Sequence, residues 1–279
     1  MVAGTQPFDI SAKTHDPRAG LRGDYAHMDA DYTVAQDMSR YDAAMQDRWQ
    51  RLLARQMRLL PGRACRAFIE AVTMLEMRRG IPSFAEVNAA LAARTGWTLV
   101  GVPGLLPDAV FFTHLADRRF PVTVWLREEH EFDYIVEPDL FHDFFGHVPM
   151  LFTPVYADYL QRYGQGGLKA ATLSGLDWLA RLYWYTIEFG LLREDGGVRA
   201  YGAGILSSPK ELVYAVESGV PARLPFDVLE VMRTPYLIDD VQSQYFVLES
   251  FEQLLADTAP DFAPLYARLS AEARAAVKA

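Results

Sequence analysis

The chain has 279 residues, 51% hydrophobic and 23% charged, with a formal net charge of −9 and a pI near 5.2. That balance suits a soluble globular protein with a sizeable core, and its acidity argues against a nucleic-acid partner, which needs clustered Lys and Arg. Cys65 is the lone cysteine, so a disulfide framework and a thiolate metal site are excluded, and with no apolar run of membrane-span length and no apolar signal core near Met1 the expectation is a cytoplasmic protein without membrane contact.

Residues 1–38 carry Pro7, Pro17, several glycines and mixed charge with little periodicity, and are expected to be loosely ordered ahead of a single domain over residues 39–279. Ser39 with Asp42 resembles a capping box for a helix to Leu60, whose Trp49, Leu52, Leu53, Gln56 and Leu60 mark one face before Pro61-Gly62 stops it. A second helix is expected over 64–77, and a third from the Ser83/Glu86 capping box to Arg94. Residues 97–102 read as a strand stopped by Pro103-Gly104, Pro107 opens a helix, and residues 120–126 read as a second strand. Thr153-Pro154 starts a helix expected to end at Gly164. Ser174 and Asp177 start a long helix over 178–192, apolar on nearly every face and therefore central. Ser208-Pro209-Lys210-Glu211 is another helix start, residues 244–248 a strand, and residues 261–277 a terminal amphipathic helix. There is no internal repeat. The sum is a mainly α protein with a few short strands, an α+β fold.

Between the second strand and the Thr153-Pro154 helix lies Glu137-Pro138-Asp139-Leu140-Phe141-His142-Asp143-Phe144-Phe145-Gly146-His147-Val148-Pro149. Neutral imidazole is the commonest side-chain metal ligand, and two of them in an apolar run point to a metal in a partly dry pocket. The spacing is awkward. At about 100° per residue, five steps turn the second ring roughly 140° from the first. Gly146 and Pro149 therefore predict a helix exit, with His142 on the last turns and His147 at the exit, where the chain can bend its ring back. Two core histidines bonded to carbonyls remain the alternative. In the long helix, Glu188 sits among Trp184, Ile187 and Phe189, a costly place for a carboxylate unless it is paired or metal-bound. Arg181 and Arg193 are not at helical pairing distance. Two imidazoles and a carboxylate make the facial triad of non-haem Fe(II) oxygenases, although zinc hydrolases use the same set. The surplus of aromatic residues near both segments favours the oxygenase.

Three passages resemble the pterin-dependent aromatic amino acid hydroxylases, and among them the bacterial phenylalanine 4-hydroxylases. They are the histidine stretch itself, Tyr183-Trp184 through Glu188-Phe189-Gly190, and Tyr201-Gly202-Ala203-Gly204-Ile205-Leu206-Ser207-Ser208, supported by Val102-Pro103-Gly104-Leu105-Leu106 and Arg127. The resemblance spans roughly residues 40–270 and implies a mainly helical catalytic-domain fold with a small sheet. It implies that His142, His147 and Glu188 hold Fe(II), that Phe111 stacks on a tetrahydropterin with Tyr183 on its other side, and that Gly104, Leu106 and Asp143 contact the pterin. Arg127 matches the clamp on the amino acid carboxylate, Ser207 a support for that side and for the ligand shell, and Pro138, Trp184 and Phe189 the walls of the amino acid pocket. The implied reaction places one atom of O2 on the reduced pterin and the other on the para carbon of L-phenylalanine, giving L-tyrosine. The Gly202-Ala203-Gly204 run is not a dinucleotide fingerprint, because Ser207 replaces its last glycine.

Trp184 stands where tryptophan-specific members carry Phe, and Ile238 where tyrosine-specific members carry an acidic residue, so phenylalanine is the expected substrate. Ile135 departs from the Thr expected of animal members. No stretch is available for their regulatory domain or tetramer-forming tail, which leads to the expectation of a monomeric catalytic domain. A zinc hydrolase and a non-catalytic module binding an aromatic metabolite are the competing readings.

Overall fold

The computed structural model describes residues 21–238 and 241–278. The expectation of loose order over residues 1–20 lies outside the described residues. Residues 21–37 form neither helix nor strand. They are tied to the body where the Tyr25 hydroxyl donates to the Leu105 carbonyl and the Arg22 amide donates to the Glu137 carboxylate.

Helix α1 (Ala43–Leu59) starts where Asp42 accepts the amide of Met45, while Ser39 lies in a preceding 3-10 turn and bonds Asp37. Its Trp49, Leu52, Leu53 and Gln56 are buried, with Leu60 just beyond, as an i, i+3, i+4 stripe dictates. Helix α2 (Arg66–Met74) follows, then α3 (Phe84–Thr95). Ser83 precedes α3 but makes no side-chain capping bond, and Gln36 from the N-terminal segment accepts the Phe84 amide. Strand β1 (Thr98–Val102), helix α4 (Asp108–Ala116) and strand β2 (Arg119–Thr123) form one βαβ unit, its parallel strands in register from Thr98 opposite Arg119 to Val102 opposite Thr123.

Helix α5 (Pro154–Thr172) runs straight through Gly164. The glycine there serves packing. A Cβ at Gly164 would meet the backbone of Ala116 and Leu115, and one at Gly167 would strike the Phe112 ring, so α5 presses bare backbone onto α4. Helix α6 (Leu176–Tyr183) has Gly175 as its N-cap, and Ser174 makes no cap but takes a left-handed φ of 55°. The expected long helix ends early. After Glu188 the chain turns at Gly190, whose carbonyl accepts the amides of Tyr201 and Gly202, and residues 191–194 become strand. Strands β3 (Leu191–Glu194) and β4 (Gly197–Ala200) make an antiparallel hairpin through Asp195-Gly196, both at positive φ, the Asp-Gly turn that right-twisted strands favour.

A four-stranded sheet in the order β4-β3-β6-β5 is completed by β5 (Ala222–Pro225) and β6 (Gln244–Leu248), with β6 parallel to both neighbours. Helices α7 (Ala203–Ser207), α8 (Pro209–Glu217), α9 (Val228–Arg233), α10 (Phe251–Asp257) and α11 (Ala263–Lys278) fill the rest. In α8, Ser208 accepts the Glu211 amide, but the Glu211 carboxylate turns inward to the Gln242 amide and the Tyr245 hydroxyl rather than back to Ser208. The core is aromatic where it meets residues 141–147: Trp49 lies edge-on to Phe141 at 5.5 Å, and Phe141 stacks on Phe145 at 4.8 Å. Among the described residues no helix is long and apolar enough to cross a membrane.

Candidate metal centre and its surroundings

Both segments that carry the candidate ligands are π-helical turns, Phe141–His147 and Trp184–Glu188. His147 is the last residue of its π turn, at the exit that Gly146 and Pro149 predict, and the chain passes directly into a 3-10 turn over Val148–Phe152; what the sequence does not predict is the wider turn that includes both histidines. The i→i+5 bonding of a π turn brings residues five apart toward one side, where an α-helix would splay them. The spacing that looked awkward is the signal that sequence reasoning passed over. The glycine run of the third motif has a packing role. Gly202 sits against the Glu188 carbonyl, Gly204 against the Phe189 ring, and Ala203 against Gly146. Helix α7 thus lies flat on both π turns and delivers Ser207.

The His142, His147 and Glu188 ligand atoms lie within 4.8 Å of one another. The Glu188 oxygens are 3.2 Å from His147 Nε2 and 3.6 Å from His142 Nε2. His147 is buried and His142 half-buried, and their rings are nearly perpendicular at 85°. Ser207 Oγ donates to the Ala203 carbonyl at 2.8 Å, which accepts only. Its 2.9 Å contact with His142 Nδ1 is therefore one in which the ring donates. That fixes the proton on Nδ1 and leaves Nε2 as a lone pair facing the Glu188 carboxylate. Acceptor against acceptor is repulsive, and a cation between them makes it attractive, so the donor set fits a metal ion. The buried Nδ1 of His147 has no hydrogen-bond partner among the described residues.

Burial opposes charge on Glu188, but His147 and then His142 outweigh it, helped by the Tyr183 hydroxyl, and the carboxyl is held down at about 2. Burial lowers the pKa of His142, favouring the neutral ring a metal requires. Burial raises that of Asp143, whose Oδ2 accepts the Thr123 amide at 2.8 Å.

Arg127 lies in the interior. It is 4% exposed and pairs bidentately with the fully buried Asp139, Nε to Oδ2 at 2.9 Å and Nη2 to Oδ1 at 2.7 Å. Asp139 also accepts the Arg127 amide and the amide of His142. The pairing holds its carboxyl below the usual range despite the burial that opposes it. The carboxylate therefore ties the arginine to the first turn of the ligand-bearing segment. An Asp directly before a helical segment, accepting the amide three residues on, is an ordinary capping signal that could have found this link.

Phe111 lies edge-on to Tyr183 at 5.8 Å. Gly104, at φ 154°, lies beneath the Tyr25 hydroxyl and the Arg22 carbonyl, with Leu106 buried two residues on. Trp184 packs against Phe189 at 4.6 Å and stacks on Tyr236 at 4.4 Å, and its indole N–H donates to Gln242. Pro138 is half-buried beside Asp139, whereas Ile238 is 40% exposed. Tyr236 and Gln242 were not singled out from sequence, where nothing distinguishes them from loop residues.

The family model of biopterin-dependent aromatic amino acid hydroxylases matches residues 15–265. The chain is 57% identical over 240 residues to a phenylalanine-4-hydroxylase of Ralstonia nicotianae, covering 86% of this chain and 77% of that protein. It is 54% identical over 246 residues to one from Chromobacterium violaceum, covering 88% and 83%. An iron- and phenylalanine-bound crystal structure of the Chromobacterium violaceum enzyme superposes with a TM-score of 0.83 at 53% identity, covering 91% of each chain.

Proposed function

The chain belongs to the biopterin-dependent aromatic amino acid hydroxylase family, and from that premise we propose how its residues divide the work of a phenylalanine 4-monooxygenase. The reaction converts L-phenylalanine to L-tyrosine with O2 and a tetrahydropterin at a non-haem iron centre. The observation that carries the residue assignment is the His142 tautomer fixed by Ser207, with its lone pair aimed at Glu188.

His142, His147 and Glu188 hold Fe(II), which together with the reduced pterin supplies the activation of O2. Ser207 holds His142 as a neutral donor. Arg127, anchored by Asp139 through Nε and Nη2, keeps its remaining N–H edge for the amino acid carboxylate. Pro138, Trp184 and Phe189 wall the substrate ring and exclude water from it. Phe111, Tyr183 and the backbone of Gly104 and Leu106 form the pterin slot, with Asp143 at its inner end. The contribution of these groups is orientation, and it is large when reacting atoms are held in near-attack geometry. We take the unit to be a cytoplasmic, monomeric catalytic domain over residues 39–279 with no nucleic-acid partner, the last part of which its net charge of −9 supports.

The test is purified, iron-loaded protein given phenylalanine, reduced pterin and O2. Tyrosine should form in step with pterin oxidation, and removal of iron by a chelator should stop it. A protein that consumes no O2 under these conditions overturns the assignment.

A further inference from the structure

Gln242 is 2% exposed and joins two parts of the amino acid pocket. Its side-chain orientation is settled by chemistry. An indole N–H can only donate, so the 3.0 Å contact with Trp184 Nε1 belongs to Oε1. A carbonyl can only accept, so the 2.8 Å contact with Leu237 belongs to Nε2. The backbone amide of Gln242 donates to Glu211, a buried carboxylate that also accepts the Tyr245 hydroxyl. The backbone of Gln242 is thus braced by Glu211 of α8, which Tyr245 of β6 also holds. In front, the side chain holds the edge of an indole that packs against Phe189 and Tyr236. On its other side it grips the carbonyl of Leu237, the residue before Ile238.

We propose that Gln242 is a specificity-positioning residue: it fixes the rotation of the Trp184 indole, and with it the width of the pocket that accepts the phenylalanine ring. The inference rests on Trp184 walling that pocket. The ring contacts alone leave the indole free to slide or turn over, because stacking is tolerant of in-plane rotation. The hydrogen bond is directional and is the only constraint on the N–H edge among the bonds the described residues make. Without an acceptor, a shielded indole N–H is unsatisfied, and the ring gains by swinging toward water. A displaced wall leaves the substrate's para carbon imperfectly aimed.

The experiment compares wild type, Gln242→Met, Gln242→Glu, Trp184→Phe and the Gln242→Met/Trp184→Phe pair. Gln242→Met removes the acceptor at similar volume, whereas Gln242→Glu keeps an acceptor oxygen for the indole. Two readouts are taken. One is KM and kcat for phenylalanine together with tyrosine formed per pterin oxidised, measured on the iron enzyme. The other is the Trp184 indole N–H resonance and its exchange with D2O, measured on the diamagnetic zinc-loaded protein and assigned by its loss in Trp184→Phe. Gln242→Met should lose exchange protection, raise KM about tenfold with a much smaller change in kcat, and lower the yield of tyrosine per pterin. Gln242→Glu, which keeps the indole acceptor but loses the bond to the Leu237 carbonyl, should retain the protected resonance and a KM clearly below that of Gln242→Met. In the Trp184→Phe background, Gln242→Met should have no further effect on KM or yield. The inference is overturned if KM and yield do not follow the indole bond, or if the two substitutions multiply in the pair. Either glutamine variant alone decides this if the other does not fold. Wild-type protein that makes no tyrosine would instead overturn the functional assignment and leave the indole bond measurable.

Discussion

Arg127 and Asp139 close a loop whose ends meet beneath the site while its middle lies on the surface, and the two parts are held by the same kinds of charge in opposite surroundings. At the base, Arg127 and Asp139 are 4% and 0% exposed and share two side-chain hydrogen bonds, with the guanidinium over the Phe141 ring at 5.6 Å. In the middle, three arginines one face apart on α1 reach across: Arg48 to Glu128 at 3.1 Å, Arg51 to Glu129 at 2.5 Å and Arg55 to Asp133 at 2.6 Å. Arg51 and Arg55 also lie over the Phe132 ring, at 4.9 and 5.9 Å. The acidic partners of the ladder are 49%, 64% and 91% exposed. Geometry alone would rank the ladder equal to the buried pair. Solvent decides otherwise: surface pairs contribute little, while a buried charge stripped of its partner is strongly destabilising.

The largest effect expected at the dry end is on the metal itself. Glu188→Ala removes the one anionic donor among the three ligands, so bound iron and tyrosine formation should both fall to background. Metal analysis beside the turnover assay checks this. A variant that still binds one iron per chain with unchanged activity would mean that the carboxylate is a structural partner of the histidines and not a ligand.

Asp139→Ala comes next. It leaves Arg127 buried and unpaired and strips the His142 amide of its acceptor. A loss of about 3–5 kcal/mol is expected in urea unfolding, with a raised KM for phenylalanine because the arginine is no longer aimed. A loss under about 1 kcal/mol would place Asp139 with the surface pairs and dissolve the contrast. Ser207→Ala is smaller again. It frees the His142 tautomer without removing a ligand, so iron affinity should drop about 10- to 100-fold, the range typical of outer partners of metal-bound histidine. Iron titration reads that directly, and no change would mean that Ser207 serves helix α7 alone.

How much of this was legible beforehand follows the same divide between local and tertiary causes. The α1 face from Trp49 to Leu60 is readable because it is buried in a regular helical period, and strand β6 because Tyr245–Leu248 is a short continuous apolar run buried on both faces. Gly164 was read as a stop because a glycine's local preference is visible and its tertiary use against Ala116 is not. The expected helix over 178–192 ran too long because an apolar run does not distinguish a buried helix from a helix feeding a buried strand. The β3–β4 hairpin did carry a local signal, Asp195-Gly196, and it was overlooked. His142, His147 and Glu188 could be proposed as a set from chemistry, but the π turns that bring them together could not. The five-residue spacing points to the extra residue per turn only once both histidines are taken as ligands of one metal, and the close packing of Gly146 on Ala203 is a tertiary contact that no local pattern shows. Tyr236 and Gln242 matter only through partners distant in sequence, so no period reveals them, whereas Asp139 has a local capping bond to His142 and only its pairing with Arg127 depends on the fold.

The smallest expected effect tests the wet end of the comparison. Each of Arg48→Ala, Arg51→Ala and Arg55→Ala should cost no more than about 1 kcal/mol, with Arg55 the largest of the three. Arg55 also donates to the Phe132 carbonyl and is the more buried partner in its pair. Added salt should do gradually what the substitutions do at once, since the screening length shrinks from about 10 Å at 0.1 M to about 3 Å at 1 M. Hydrogen exchange by mass spectrometry separates the two ends within one protein. Amides of residues 128–133 should exchange faster at 1 M salt than at 0.05 M in the wild type, and fast at both in the triple variant. The Arg127 amide, bonded to buried Asp139 at 2.9 Å, should keep its protection throughout. Equal exchange of residues 128–133 at both salt concentrations in the wild type would show that Phe132 packing, and not charge, fixes the loop, and the ladder would then be an accident of surface composition.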